Sequence, residues 1–334
     1  MTSLRTATRP ALPGLALCGL GTILALALGR LLSAVSPLLV AILLGAVLVN
    51  LGRVTPGCRP GLAVASTTFL RAGIAVLGLQ VALGDILGLG WPVLVVVVSV
   101  VILGIAGTML VGAYLGLGWT QRVLIACGFS VCGAAAVAAV DGVVDAREEE
   151  VATAVALVVV FGTLMIPAVP LAAAALGMPE TAAGAWAGGS IHEVAQVVAA
   201  GGAIGGSALA VAVTVKLARV LLLAPVVTVL GLQARRRSAS VPGLRRPPLV
   251  PLFIVAFLAC VLLRSSGLLV PAVLDGAGVA QTVLLTAAMF ALGTGVRVAT
   301  LREVGARPFV LAAASTVWVA GIALVGVRVA GVAA

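Results

Sequence analysis

The residues able to do chemistry in this chain are few, and they gather in one stretch. The single histidine, His192, is followed directly by Glu193, inside a run from Gly188 to Gly202 that is otherwise apolar enough to enter a membrane. An ionisable side chain at membrane depth is expensive, which makes it a functional residue by default. His192 and Gln196 lie four apart, and Ser190, Glu193 and Gln196 follow in steps of three, so helical spacing predicts one polar stripe on an apolar rod. Its chemistry would be proton handling, because imidazole titrates near neutral pH and a desolvated carboxylate can do so as well. The plainer alternative is a stripe at a helix end, solvated among the headgroups.

Cations form the second group. Lys216 and Arg219 lie three apart, hence on one helical face, in the next apolar run, and Arg71 sits in the middle of an earlier one. Three cations against one carboxylate leave the interior positive, which suits an anion, and arginine offers a forked donor set matched to oxyanions where lysine is a point charge. Lys216 or Arg219 paired with Glu193 as a structural ion pair is the competing reading, and it stays open. Cys127 to Ala136, containing Ser130, Cys132 and Gly133, is a poor continuous helix and predicts a break. Ala291-Leu292-Gly293-Thr294-Gly295 is the second candidate break. Helix starts at such breaks add N–H groups with partial positive charge. The expected anion-binding residues are therefore Arg71, Ser130, Cys132, Gly133, Lys216, Arg219 and Thr294, with His192, Glu193 and Gln196 coupling protons.

His192-Glu193 also invites comparison with the zinc motif His-Glu-x-x-His, but Gln196 stands where the second histidine belongs. The five cysteines, Cys18, Cys58, Cys127, Cys132 and Cys260, make no Cys-x-x-Cys pair. No metal, no cofactor and no enzymatic activity are expected.

The elements that must position these residues are membrane helices. With 62% hydrophobic and 9% charged residues among 334, the chain is far from the balance of a soluble domain. A net charge of +10 would suit nucleic acid, but the arginines fall in short loops between apolar runs, as the positive-inside rule describes, so the partners expected are a lipid bilayer and a small anion. About eleven spans are predicted, the first, about Leu12 to Leu32, being a span and not a cleaved leader. The loops with Arg53 and Arg59, Arg235 to Arg246, and Arg297, Arg302 and Arg307 then fall inside with the N-terminus. The acidic Asp141 to Glu150 loop and the C-terminus fall outside. The expected fold class is an all-α membrane protein, one polytopic domain over 1–334. Residues 1–33 form an extra N-terminal span, and 34–176 and 177–334 form two inverted five-helix repeats with discontinuous helices in spans five and ten. Matching interruptions in inverted halves point to a transporter site.

The run Gly-Ser-Ile-His-Glu-Val-Ala-Gln-Val-Val-Ala-Ala-Gly at 189–201 resembles the signature of the bacterial YeiH-type family, known as sulfate exporters. Cys132-Gly133-Ala134-Ala135-Ala136-Val137, Lys216-Leu217-Ala218-Arg219-Val220 and Leu70-Arg71-Ala72-Gly73-Ile74 match further motifs of that family in the same order. The chain departs from it at Gln80, where members often carry a base, at Arg264-Ser265, and at Gly293-Thr294-Gly295. The resemblance implies a bacterial inner-membrane protein with crossed broken helices that exports an anion. The expectation is thus a secondary transporter of a small inorganic anion, sulfate by resemblance. The alternatives are a proton- or sodium-coupled antiporter of another organic or sulfonate anion and a non-transporting membrane scaffold. The sequence leaves room for a homo-oligomer.

Overall fold

The computed structural model describes residues 11–31, 37–144, 146–238, 251–297 and 305–332, and the regular elements among them are helical. In chain order they are α1 (Leu12–Leu31), α2 (Pro37–Asn50), α3 (Pro56–Gln80), the short α4 (Leu83–Gly88), α5 (Trp91–Tyr114), α6 (Trp119–Ser130), α7 (Ala134–Val144), α8 (Glu148–Ala175), α9 (Glu180–Ser190), α10 (Val194–Ile204), α11 (Gly206–Leu221), α12 (Leu223–Ser238), α13 (Leu252–Ser265), α14 (Pro271–Gly293) and α15 (Arg307–Val329). Among the described residues seven stretches are long and apolar enough to cross a membrane: α1, α3, α5, α8, α11 continued by α12 to Ala234, α14 and α15. The protein is an all-helical membrane protein. Its valine-rich helices show why propensity scales matter little here. The 24 residues of α5 include valine runs that would favour strands in water. In hydrocarbon each backbone N–H and C=O must be satisfied within the segment, and an isolated segment achieves that as a helix.

The helices sort into two packing groups that interleave along the chain. α1, α2, α3, α13 and α14 pack together as an outer bundle, while α5 to α11 and α15 form a core bundle. Small residues bring the core helices close. At Gly184 and Gly188 of α9, an added Cβ would collide with the Ala208 and Ala212 carbonyls of α11. Such close backbone approach is how membrane helices associate when lipid removes the hydrophobic drive between them. Two indoles pin α15 in place: Trp186 Nε1 donates to the Ala320 carbonyl at 3.0 Å, and Trp318 Nε1 to the Leu103 carbonyl at 2.9 Å.

One expectation is corrected. Ser190 to Gln196 is not a stripe on a continuous helix. α9 ends at Ser190, Ile191 to Glu193 are non-helical, and α10 starts at Val194. At the second candidate break α14 stops at Gly293 with Thr294 at the C-cap, and residues 298–304 beyond it lie outside the described residues. Among the described residues the interrupted helices are α6–α7, as expected, and α9–α10. Several loop charges used for topology, namely Arg245, Arg246 and Arg302, together with Asp145, lie outside the described residues.

Candidate functional site: the crossing of two interrupted helices

Each interruption has a local cause. α6 closes with the Val131 N–H on the Cys127 carbonyl and the Gly133 N–H on the Gly128 carbonyl, and Gly133 adopts φ +77°, the left-handed conformation that glycine enters without penalty. α7 then begins at Ala134. In the second interrupted helix, Ile191 is extended at φ −74°, ψ 148°, and Glu193 is the extended N-cap of α10 at φ −106°, ψ 146°. Glu193 and Gln196 form a capping box. The Glu193 carboxylate accepts the Gln196 N–H, and Gln196 Oε1 accepts the Glu193 N–H at 3.1 Å. The three-residue spacing that read as a stripe is this box.

An interruption leaves carbonyls without donors at one side and N–H groups without acceptors at the other, and each is costly away from water. α11 supplies the donors. Arg219, wholly buried, donates from Nε to the Ser130 carbonyl at 3.2 Å and from Nη2 to that of Phe129 at 3.0 Å. Its Nη1 donates to Gly188, Gly189 and Ile191 at 3.0, 2.8 and 3.1 Å. Lys216, also wholly buried, donates from Nζ to the carbonyls of Val131 and Ile191, both at 2.9 Å. The ends of α6 and α9 both carry the negative pole of a helix dipole, so two cations are placed where two such poles meet. On the opposite side the Glu193 carboxylate accepts the Ala134 N–H as well, joining the positive ends of α7 and α10.

His192 lies in the same interruption, wholly buried. Nδ1 faces the Phe129 carbonyl and Nε2 the Thr316 hydroxyl of α15, each at 3.2 Å, and its ring sits 4.4 Å from that of Phe129. The carbonyl can only accept, so it holds a proton on Nδ1. The Thr316 hydroxyl can either donate to Nε2 or accept from it.

The crossing thus gathers Ser130, Cys132, Gly133, His192, Glu193, Gln196, Lys216 and Arg219. Ser130 contributes its carbonyl, while its buried Oγ has no partner among the described residues. Arg71 and Thr294 lie elsewhere. Arg71 is exposed on α3, its guanidinium 5.9 Å from the Phe253 ring and facing Gly142 of α7. Thr294 Oγ1 turns back to the Ala291 carbonyl at 2.7 Å. Lys216 and Arg219 have no carboxylate within 4 Å, and among the described residues the one ion pair within that limit is Arg147–Glu150 at 3.3 Å. Sequence reasoning missed Thr316, whose role no local pattern announces, and the carbonyls of 129–131 and 188–191, which every residue possesses.

These features define a polytopic helical membrane protein in which two helix interruptions meet around buried charge. The family described as Conserved hypothetical protein 698 matches residues 13–312. A UPF0324 membrane protein of Corynebacterium glutamicum is 55% identical over 94% of this chain and 91% of its own length. The UPF0324 inner membrane protein YeiH of Salmonella typhi is 36% identical over 92% of this chain and 90% of its own. The UPF0324 membrane protein TauZ of Paracoccus pantotrophus is 35% identical over 88% of each. The chain belongs to this YeiH-type family of membrane proteins. No solved structure matches it.

Proposed function

We propose that the protein is a secondary-active transporter of a small inorganic anion, with sulfate export as the activity the family resemblance implies. The observation that carries this reading is the crossing itself. Two interrupted helices meet at membrane depth around Lys216, Arg219 and Glu193, and irregular backbone with buried charge is tolerated in a bilayer where it serves a pathway. Arg219 holds the two interruptions together through main-chain carbonyls. Glu193, half-buried beside two helix starts, and His192 with its Thr316 partner are the proton-coupling groups. No enzymatic chemistry and no cofactor enter this reading.

In the same reading the chain crosses the bilayer eleven times. α1, α2, α3, α5, α6 with α7, α8, α9 with α10, α11 with α12, α13, α14 and α15 each make one crossing. The N-terminus lies in the cytoplasm and the C-terminus outside. Ten crossings after α1 give the five-plus-five count that inverted halves require. Reporter fusions after Arg237 and after Ala334 test the topology, and cytoplasmic activity at the second would remove a crossing.

Purified protein in sealed liposomes should move labelled sulfate, sulfite or a small sulfonate down an imposed proton gradient. Absence of flux for all of them, in protein that is folded and inserted, sinks transport. Glu193→Gln should flatten the pH dependence of flux, and an unchanged profile would remove Glu193 from coupling.

A further inference from the structure

α5 carries Gly104, Thr108 and Gly112 at four-residue intervals, hence on one face, and Gly116 follows just past its end. Polar groups of two other helices meet this stripe. A Cβ added at Gly104 would lie 2.6 Å from the Oγ of Ser130, the last residue of α6. One at Gly112 would lie 2.7 Å from the Cγ of Arg122, in the first turn of α6, and one at Gly116 3.5 Å from the Nη1 of Arg307, at the start of α15. Thr108 brings its own hydroxyl between the first two. The stripe therefore runs from the start of α6 to the place where the two interruptions meet.

Small residues alone would be packing. Here the polar groups on the stripe are also sealed and unpaired. Ser130 and Thr108 are buried, and Ser130 Oγ, Thr108 Oγ1 and Arg122 Nε are three of four buried side-chain polar atoms without a hydrogen-bond partner among the described residues. The fourth, Thr286 Oγ1, belongs to α14. Buried polar atoms are otherwise nearly always paired, and an internal water that serves two or three of them at once is a common partner. Four residues of helix rise about 6 Å, which is the span of one water making a hydrogen bond of about 2.8 Å on each side. The inner end of the stripe adjoins His192. Its Nδ1 faces the carbonyl of Phe129, next to Ser130, and its Nε2 faces Thr316, one turn before Val319, whose Cγ2 also lies against Gly104. The charged groups around the ring are Lys216 and Arg219 from α11 and the adjacent Glu193.

We infer that the seam between α5, α6 and α15 binds a file of water molecules, held by the Arg122 Nε–H and the Thr108 and Ser130 hydroxyls, and that this file carries protons between His192 and the aqueous face at the start of α6. The inference rests on the transport reading above for the role of His192 as a proton-coupling group, and adds the route by which the proton arrives. Hydroxyls and water both donate and accept, so a chain of them relays protons without moving the helices. At its inner end the Thr316 hydroxyl passes its proton to Nε2 and takes one from the neighbouring water, which leaves the ring charged and the hydroxyl restored. Arg122 only donates, so the water beside it turns its lone pairs to the guanidinium and its hydrogens inward.

His192 is the only histidine in the chain, so histidine labelled with nitrogen-15 reports on one residue. The full-length protein in lipid nanodiscs is moved into deuterium oxide, and exchange of the imidazole N–H is followed by NMR. Thr108→Val and Ser130→Ala are compared with the wild type, and Thr286→Val, which removes the unpaired hydroxyl away from the seam, serves as control. Each seam variant should slow exchange by about tenfold or more, as the loss of one hydrogen bond from the file implies, while the control exchanges like the wild type. Thr108→Ser keeps the hydroxyl and should restore the wild-type rate, which separates the hydroxyl from the packing around it. If Ser130→Ala does not fold, the Thr108 pair decides alone. Wild-type exchange in the seam variants, or equal slowing in Thr286→Val, overturns the inference. Liposome flux tells the two ideas apart. Flux in the wild type with unchanged exchange in the variants leaves transport standing and removes the file. Slowed exchange in a protein that moves no anion does the reverse.

Discussion

The outer bundle and the core bundle are built from the same small, apolar residues, yet they solve different problems. In the outer bundle each helix satisfies its own backbone, and what remains is close packing. Its buried polar side chains are few, such as the Thr22 hydroxyl on the Cys18 carbonyl one turn earlier at 2.7 Å, and among the described residues no charged side chain there is buried. The core bundle interrupts two helices and so creates main-chain groups that need partners from elsewhere. The fully buried cations Lys216 and Arg219 are found there, each bonded to carbonyls of both interruptions. Among the described residues, the fully buried cations sit at broken backbone. Apolar packing by itself does not call for them.

The strongest way to break that contrast is at Arg219. Arg219→Leu strips donors from five carbonyls, of which Ile191 keeps Lys216 and Phe129 keeps His192, and each buried group left unsatisfied costs about 1–3 kcal/mol. Summed even partially, this rivals the whole ~5–15 kcal/mol stability of a typical domain. Little folded protein should be recovered from membranes, by detergent extraction and size exclusion. Arg219→Lys keeps the charge with fewer donors and should fall in between. Full recovery of the leucine variant would detach buried charge from broken backbone.

Two glycines sharpen the comparison. Gly133 in the core and Gly52 in the outer bundle have nearly the same backbone, φ +77° and +70°. Alanine in a left-handed conformation costs about 1–2 kcal/mol at either place. At Gly52 the new Cβ meets nothing within 4 Å, whereas at Gly133 it meets the Glu193 carboxylate. Gly133→Ala should therefore lose about 1–3 kcal/mol more than Gly52→Ala, as for overpacking, read as the difference in thermal unfolding of the purified variants. Equal losses would mean that the carboxylate moves aside freely.

The smallest effect is expected at Thr286 of α14, wholly buried with an Oγ1 that has no partner among the described residues. Thr286→Val exchanges that hydroxyl for a methyl of similar shape. It should be neutral or stabilising, by up to about 1–2 kcal/mol, since an unsatisfied hydroxyl gains nothing from burial. A clear loss would show that the outer bundle too depends on a polar partner.

Much of this was legible in the sequence. The Gly, Ser and Cys cluster of 127–136 marked the first interruption, and the i, i+3 spacing of Lys216 and Arg219 placed both on the face that reaches it. Glycines around a helix end and glycines at a break have the same composition, so Gly293-Thr294-Gly295 reads like Gly128 to Gly133, and composition gave no sign of the interruption at 191–193. At 190–196 the ambiguity was one of spacing. Steps of three suit a helix face and a capping box alike, and the difference is whether the first residue is helical. The function of Arg219 was hidden for another reason, since its partners are carbonyls that carry no residue identity.

In the eleven-crossing topology proposed above, the interruptions also set where the buried charges lie along the bilayer normal. The first halves, α6 and α9, have 12 and 11 residues, or roughly 16–18 Å at 1.5 Å per residue, just over half of a hydrocarbon core of about 30 Å. On that topology Lys216, Arg219 and Glu193 sit near the middle of the membrane's electric field. A full crossing is worth about 2.3 kcal/mol per charge at 100 mV, so half of one is worth about 1 kcal/mol. Any step that carries a net charge from this crossing to one surface is then driven or opposed by the membrane potential as well as by concentration.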